Sequence, residues 1–141
     1  MASIAVEIST EASPSAVWDA IRDIGALHTR LVPGFVVATE LVRGGRRVTF
    51  ANGMIVVEPI VSLNEELHRL VWTTHGGSPG LIHYNSAVQV YPRETGGTRV
   101  VWMTDVLPDE AASRIGAMMR QGATAMNSAF ARIAKEGTKQ T

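Results

Sequence analysis

Residues 35–107 carry six runs of strand-forming residues that are separated by short turn signals, and this succession limits the chain to few folds. Gly44-Gly45 and Asn52-Gly53 are typical two-residue hairpin turns. Such turns join antiparallel strands, because parallel pairing needs long crossovers. The sequence therefore predicts an antiparallel meander. Its strands are predicted at residues 35–43, 46–51, 54–63, 67–74, 80–91 and 97–107.

The segment before the meander predicts one strand followed by two short helices. Residues 3–10 alternate between apolar and polar side chains, which is typical of a half-buried strand. Ser13-Pro14 is a helix start, since serine caps helices and proline is favoured at the first helical position. A second short helix is predicted over residues 26–32, and Pro33 ends it.

Residues 109–135 predict one long amphipathic helix after the strands. Asp109 and Glu110 lie at its positive end, and Gly137 is predicted to end it. Its inner face is predicted to contain Ile115, Met118, Met119, Gly122, Met126, Ala129, Phe130 and Ile133. Small residues and flexible methionines favour an adaptable surface there over a rigidly packed one.

Size and composition predict one domain. The 141 residues fit a single core, and 45% hydrophobic against 18% charged residues excludes general disorder. We assign residues 1–137 to this domain and residues 138–141 to a frayed tail. A glycine-rich loop is expected around residues 76–80, at the rim of the sheet.

Charge and cysteine content bound the partners and the compartment. Thirteen basic and 13 acidic residues give zero formal net charge, so a nucleic-acid partner is not expected. The absence of cysteine excludes disulfides and zinc–thiolate sites and is compatible with a reducing cytosol. Neither a signal peptide nor a membrane-spanning apolar stretch is recognised, so we expect a cytoplasmic protein.

Alternation along the strands predicts which side chains face the interior. Arg69 and Arg99 mark the outer face of their strands, so Trp72 and Trp102 are predicted to point inward. The other residues assigned to the inner face are Phe35, Val37, Leu41, Val48, Phe50, Leu70, Thr74, Ile82, Tyr84, Ser86, Val88, Val90, Val100, Thr104 and Val106. A one-residue bulge would invert any of these assignments.

The outer face is predicted to be unusually apolar for a solvated sheet. It is assigned Val36, Val56, Ile60, Val71, Val101 and Met103, together with the carboxylates Glu7, Glu40, Glu58 and Asp105. Contiguous apolar patches are typical of partner surfaces, so a homodimer through the convex face is one hypothesis. A misassigned strand register is the alternative.

Over essentially its whole length the chain resembles the polyketide cyclase/dehydrase and lipid-transport (SRPBCC) family of the START-like, birch-pollen-allergen-like helix-grip superfamily. Residues 12–31, 57–72 and 97–108 carry the resemblance, together with Pro33-Gly34 and Asn52-Gly53. It implies an α+β helix-grip fold. In that fold a curved seven-stranded antiparallel sheet wraps a long C-terminal helix, and two short helices follow the first strand.

A bent sheet around one helix tends to leave a cavity, so the resemblance implies a binder of a small hydrophobic ligand, such as a lipid, a polyketide-like or an aromatic molecule. An apolar lining with few polar groups fits such a site. The predicted ligand-binding residues are Leu31, Phe35, Phe50, Trp72, Tyr84, Ser86, Trp102, Ile115, Met118, Met119, Gly122 and Met126. The alternative is that these residues simply pack the core.

Two other functions stay open. The family also contains cyclases, and His28 at the predicted cavity mouth and the inward Tyr84 are the candidate catalytic residues, acting on a polyketide or similar substrate. An exposed histidine without a role is the other interpretation of His28. A protein-interaction module with a vestigial cavity is the third function. No metal or cofactor is predicted, because the four histidines lack ligand spacing.

Overall fold

The fold consists of a strand, short helical turns, a meander of strands and a long helix. A computed structural model describes residues 1–76 and 80–139, and it describes side chains as far as Gly137. Residues 77–79 of the glycine-rich loop expected around residues 76–80 lie outside the described residues, as do residues 140–141 of the predicted tail. In chain order the elements are β1 (Ala2–Thr10), α1 (Pro14–Arg22), a 3-10 helix (Ile24–Ala26), a π-helical turn (Leu27–Leu31), β2 (Val36–Val42), β3 (Gly45–Phe50), β4 (Ile55–Asn64), β5 (Arg69–Thr73), β6 (His75–Gly76), β7 (His83–Pro92), β8 (Thr98–Leu107), a second 3-10 helix (Asp109–Ala111) and α2 (Ala112–Lys139).

The strands form one antiparallel sheet in the order β1-β8-β7-β5-β4-β3-β2, and the short β6 pairs with β4 beside this path. β1 closes the meander by pairing with β8 over all nine of its residues. The predicted helix-grip architecture, a curved antiparallel sheet with a long C-terminal helix and two short helical segments, is confirmed.

The first helix begins as predicted, and the second differs. The Ser13 hydroxyl accepts a hydrogen bond from the Ala16 amide, and Pro14 opens α1. Residues 26–32 do not form one helix. A 3-10 helix leads into the π-helical turn, which the Val32 amide closes by donating to the Leu27 carbonyl at 2.9 Å. Pro33 has no amide hydrogen, so no helix continues beyond this point.

The C-terminal helix is also longer than predicted. A 3-10 helix holds Asp109, and α2 then runs for 28 residues through Gly137, which was predicted to end it. A glycine cap requires the left-handed backbone conformation, and Gly137 is absent from the residues with positive φ. A glycine with helical φ only weakens a helix locally, so α2 continues past it.

The prediction for β4 was wrong, since its inner and outer faces are exchanged. Val56 and Glu58 point into the core, with 6% and 7% of their surfaces exposed. The Phe50 amide donates to the Met54 carbonyl, and this hairpin pairs Val48 with Val56. Opposed residues share one face, so the inward Val48 requires an inward Val56.

The prediction for β2 was wrong for a different reason. Its pairing with β3 shifts between Val36 and Ala38, which marks a bulge. Val36 is therefore buried, whereas Val37 is 55% exposed. Leu41 is 63% exposed as well, with its side chain lying over Gly25 beyond the core.

Alternation along β7 and β8 follows the prediction, with one exception. Tyr84, Ser86, Val88 and Val90 are buried, as are the inward residues of β8. Ile82 is 78% exposed, because β7 begins at His83 and the alternation of the strand does not extend back to Ile82.

The convex face carries other apolar residues than those predicted, since Ile55 and Val61 of β4 and Val37 of β2 are exposed. Val36 and Val56 belong to the core, Ile60 is half-buried against it, and Val71 is 5% exposed. Glu7 and Glu40 do lie outside, where they pair with arginines of the neighbouring strands. Asp105 lies half-buried on the same side and accepts a hydrogen bond from the Ser3 hydroxyl.

The core lies between the concave side of the sheet, α1 and α2. Phe130 and Met119 of α2 are completely buried in it. Within the described ranges, no helix combines the length and apolarity that crossing a bilayer would require.

Candidate functional site

A narrow cavity lies between the concave side of the sheet, the π-helical turn and α2. The space open to the centre of a water molecule is about 40 Å³, enough for a few waters. We call this the inner cavity. Its lining consists of Ile21, Leu27, Leu31, Val32, Phe35, Val36, Arg46, Phe50, Glu58, Leu70, Trp72, Tyr84, Val88, Trp102, Met118 and Met126.

A larger space, the outer mouth, adjoins the inner cavity. Its volume by the same measure is about 470 Å³, and its lining runs from Gly34 and the β3–β4 hairpin to the first turns of α2. A side chamber of about 40 Å³ lies between Met54, Thr74, Leu81 and Ile115. Most of the room thus lies outside the inner cavity.

Three side chains belong to both the outer mouth and the inner cavity. Phe35, Phe50 and Met118 line both spaces, and we call these residues the gate. The two phenylalanine rings meet edge to face, with centroids 5.3 Å apart and planes at 77°. Methionine is unbranched and changes rotamer readily, so Met118 is the easiest part of the gate to displace.

The inner cavity contains a buried ion pair that sequence reasoning missed. Arg46 Nε donates to Glu58 Oε1 at 2.8 Å, and the two side chains are 3% and 9% exposed. Arg46 Nη1 also donates to the Ile24 carbonyl at 3.3 Å. Glu58 was predicted to lie outside, on the same parity as Val56 and Ile60. Two signals in the sequence could have predicted this pair. Arg46 lies two residues before the inward Val48, so it shares the same face, and the Asn52-Gly53 hairpin opposes Arg46 to Glu58.

Two tryptophans also line the inner cavity, and both point inward as predicted. The Trp72 and Trp102 rings are 6.3 Å apart, and the Arg46 guanidinium carbon lies 5.6 Å from the Trp72 ring centroid. Trp102 Nε1 donates to Ser86 Oγ at 2.7 Å, and Ser86 bonds the Thr104 hydroxyl. The buried Trp72 Nε1 has no hydrogen-bond partner among the described residues.

Tyr84 lines both the inner cavity and the side chamber. Burial raises the pKa of Tyr84 to about 12, and the negative charge of Glu58 acts in the same direction. Hydrogen bonding with Ser86 and Thr104, and the charge of Arg46, oppose this rise. At neutral pH Tyr84 is therefore a protonated hydrogen-bonding group and a weak acid.

The raised pKa predicts a loss of stability in strong alkali. The unfolded state ionises near 10 and the folded state near 12, so the contribution of Tyr84 is complete below pH 10 and is lost as pH rises toward 12. We expect Tyr84→Phe to remove this alkaline part of the pH dependence of the unfolding free energy. Denaturant titrations between pH 8 and 11 measure it, and identical pH profiles for the two proteins would contradict the assignment.

Most of the predicted ligand-binding residues line the inner cavity. These are Leu31, Phe35, Phe50, Trp72, Tyr84, Trp102, Met118 and Met126. Ile115 lies in the side chamber and the outer mouth. Ser86, Met119 and Gly122 are not part of the lining. Ser86 and Met119 are completely buried, and Ser86 positions the Trp102 indole instead. The ligand-binding role of the whole set stays a prediction.

Gly122 allows α2 to lie directly against Trp102. A Cβ atom at Gly122 would stand 3.0 Å from Trp102 Cζ3 and 3.4 Å from Phe35 Cε2. The distance to Trp102 is tighter than ordinary contact, so a side chain here would require the indole to move by a few tenths of an ångström. Gly122 thereby controls the shape of the cavity wall without lining it.

Two glycine substitutions on one helix separate this packing effect from helix propensity. Replacing a helical glycine with alanine usually stabilises by up to about 1 kcal/mol. We expect Gly137→Ala, which meets nothing within 4 Å, to raise the unfolding free energy or leave it unchanged. Gly122→Ala should lower it, because overpacking costs about 1–3 kcal/mol. Thermal unfolding of both variants measures the difference, and equal stabilisation would exclude a tight Trp102 contact.

The structure does not bring His28 into the cavity. His28 Nδ1 lies 3.0 Å from the Thr39 hydroxyl, and His28 is absent from the lining of the inner cavity and the outer mouth. Its neighbour Arg30 joins the π-helical turn to α1 by ion pairs with Asp19 at 2.7 Å and Asp23 at 3.0 Å. The hydrogen bond and charge of Arg30 lower the pKa of Asp19. The ion pairs of Arg30 thus hold the π-helical turn against α1.

A search for metal ligands gives no site in the described part of the chain. No three histidine, aspartate or glutamate side chains there lie close enough together to hold an ion. The polar chemistry of the inner cavity is therefore that of Arg46, Glu58, Tyr84 and the free Trp72 indole N–H.

Comparison with known proteins gives one family and many structures of the same fold. A family model described as polyketide cyclase/dehydrase and lipid transport matches residues 1–138. No curated protein sequence matches the chain significantly.

Three solved structures illustrate the range of similar proteins. An uncharacterised protein from Bacillus thuringiensis has a TM-score of 0.81 at 18% identity, covering 92% of this chain and 98% of its own. A START superfamily protein from Mycobacterium smegmatis has a TM-score of 0.74 at 12% identity, with coverages of 91% and 96%. The Zhui aromatase/cyclase from Streptomyces sp. R1128 has a TM-score of 0.76 at 14% identity, with coverages of 99% and 94%. At these identities the likeness concerns the fold alone.

Proposed function

We propose, since this chain belongs to the polyketide cyclase/dehydrase and lipid-transport family, that it binds a small hydrophobic ligand between the sheet and α2. The observation that carries the proposal is the arrangement of an apolar inner cavity and a roomy outer mouth that share the gate residues Phe35, Phe50 and Met118. A purely structural core would not need an adjoining mouth of about 470 Å³.

The ligand enters through the gate. The inner cavity holds only about 40 Å³ in the closed state, so a ligand the size of an aromatic bicycle requires the gate residues to move. Rotation of Met118 away from Phe50 joins the outer mouth to the space beside Trp72 and Trp102. Burial of the ligand then contributes roughly 25 cal/mol per Å² of apolar surface, before ordering costs.

Blocking the gate tests this route. We expect Met118→Trp to weaken binding of an apolar fluorophore such as ANS at least tenfold, because the indole fills the passage. Met103→Trp is the matched control, since Met103 is 47% exposed on the convex face. Fluorescence titration at neutral pH measures both affinities. Saturable wild-type binding that both variants retain would place the ligand elsewhere, and no saturable binding at all would remove the proposal.

A cyclase of the polyketide type is the second candidate. It is favoured by the convergence of Tyr84, Arg46 and Glu58 on one cavity, where a folded substrate would meet a hydroxyl, a donor and a carboxylate. The position of His28 gives its catalytic role less support than that of Tyr84. Turnover of a reactive poly-β-keto substrate that is lost in Tyr84→Phe and kept in His28→Ala would favour this reading. Absence of turnover in the wild type would exclude it for that substrate.

We also propose three further properties of this chain. These are a single domain over residues 1–137, a cytoplasmic location and a homodimer through the convex face. Exposed apolar side chains of the sheet, among them Met103, Val61 and Ile55, support the dimer. Sedimentation that shows only monomer at micromolar concentration would remove it. Co-purification of a stoichiometric protein partner, together with no ligand binding, would instead favour an interaction module.

A further inference from the structure

The inner cavity holds polar groups that the binding of a hydrocarbon would not require. As whole residues, Arg46 and Glu58 are 2% and 7% exposed, and they line the same space as Trp72. Burying two charges costs several kcal/mol per ion, and an apolar pair of similar volume often packs equally well. The ion pair therefore points to a ligand with a polar group.

Arg46 and Trp72 have hydrogen-bond donors that are not used within the described residues. A guanidinium carries five N–H donors, and among the residues that the structure describes Arg46 uses one for Glu58 and one for the Ile24 carbonyl. The Trp72 indole N–H is buried with no acceptor in the described residues, and its ring centroid lies 5.6 Å from the Arg46 guanidinium carbon. An unpaired buried donor of this kind costs about 1–3 kcal/mol. A ligand oxygen would relieve that cost.

An acceptor lies next to these donors. Within the described ranges Glu58 receives one side-chain hydrogen bond, from Arg46, at Oε1, whereas a carboxylate has about four acceptor sites. Donor and acceptor belong to one ion pair with no net charge. A group that both accepts and donates would therefore use both halves of the pair.

The chemistry of this arrangement selects among ligand head groups. A carboxylate would pair with Arg46 but would face the negative charge of Glu58. A hydrocarbon would leave the Trp72 N–H without an acceptor. A hydroxyl can accept from Arg46 or the Trp72 N–H and donate to Glu58.

We propose that the Arg46–Glu58 pair and the Trp72 N–H form a site for a neutral hydroxyl group, a phenol or an alcohol, on the apolar ligand. The proposal rests on the proposed function, because it concerns the polar end of the same cavity. It places phenols and apolar alcohols ahead of fatty acids as ligands of this chain.

Three probes of similar shape test the head group. They are 2-naphthol, naphthalene and 2-naphthoate, titrated by calorimetry at pH 7, where a phenol is protonated. We expect 2-naphthol to bind at least tenfold more tightly than either of the others. Equal binding of 2-naphthol and naphthalene, or tighter binding of 2-naphthoate, would overturn the hydroxyl site while leaving the hydrophobic cavity intact. If no probe binds, the proposed function itself fails.

Two variants connect the preference to the named groups. Trp72→Phe keeps an aromatic ring and removes the N–H, and Arg46→Met/Glu58→Leu replaces the ion pair by apolar side chains of similar length. Each should reduce the advantage of 2-naphthol over naphthalene, with the double variant reducing it to less than twofold. The exposed pair serves as control in Arg47→Met/Glu40→Leu, which should keep the full preference. An unchanged preference in the folded double variant would overturn the proposal.

Discussion

Removing the Glu58 carboxylate alone should be among the most destabilising changes in this chain. We expect Glu58→Leu to lower the free energy of unfolding by about 3–5 kcal/mol, because it leaves the Arg46 charge buried without a partner. Arg46→Met/Glu58→Leu should recover most of that loss, since two apolar side chains can pack where the ion pair lay. Chemical denaturation of both variants measures the two values.

The control for this experiment is an ion pair of the same type on the surface. Arg47 and Glu40 pair at 2.9 Å with side chains 45% and 68% exposed. Glu40→Leu should change the free energy of unfolding by no more than about 1 kcal/mol. A loss in Glu58→Leu that is as small as the loss in Glu40→Leu would show that Glu58 is solvated, contrary to the structure.

The second large effect concerns the attachment of α2 to the sheet. Phe130 is completely buried in the core on the inner face of α2. Phe130→Ala should lower the unfolding free energy by about 3–5 kcal/mol, the usual cost of removing a buried aromatic ring. Ser128→Ala, an exposed position two residues earlier, should change it little. Thermal or denaturant unfolding tests both, and a similar small effect of the two changes would contradict the packing of this helix.

Side-chain alternation predicted the inner surface well where the strands are regular. In β7 and β8 every second residue from Tyr84 to Val90 and from Val100 to Val106 is buried, and the arginine at position 99 marks the outer face. These strands are long and fully paired with each other, so nothing interrupts their period of two. The same regularity placed Trp72 and Trp102 correctly.

Alternation failed where a local event or a buried charge changed the pattern. The bulge after Val36 inserts one residue into β2 and so shifts the inward and outward alternation of the strand. No residue type in this stretch predicts the bulge. Glu58 was assigned outward with Val56 and Ile60, although the hairpin register opposes it to the inward Arg46. Each of these charges makes the burial of the other possible, so neither residue alone predicts the ion pair.

The cavity itself lies beyond sequence patterns. Phe35, Phe50 and Met118 come from a loop, a strand and a helix, and they become a gate only when the sheet curves toward α2. The unpartnered Trp72 N–H depends in the same way on what surrounds it in three dimensions. Sequence identified the side chains that face inward but not the space between them.

The three tryptophan indoles give the most direct test of ligand binding between the sheet and α2. Trp72 and Trp102 line the inner cavity, whereas the Trp18 N–H donates to Glu65 at 3.0 Å, and Trp18 is not part of that lining. Nuclear magnetic resonance of the indole N–H signals, assigned by tryptophan-to-phenylalanine variants, follows all three during titration with 2-naphthol. We predict saturable shifts of the Trp72 and Trp102 signals with an unchanged Trp18 signal. Unmoved Trp72 and Trp102 signals at saturating ligand, or a shift confined to Trp18, would contradict the account.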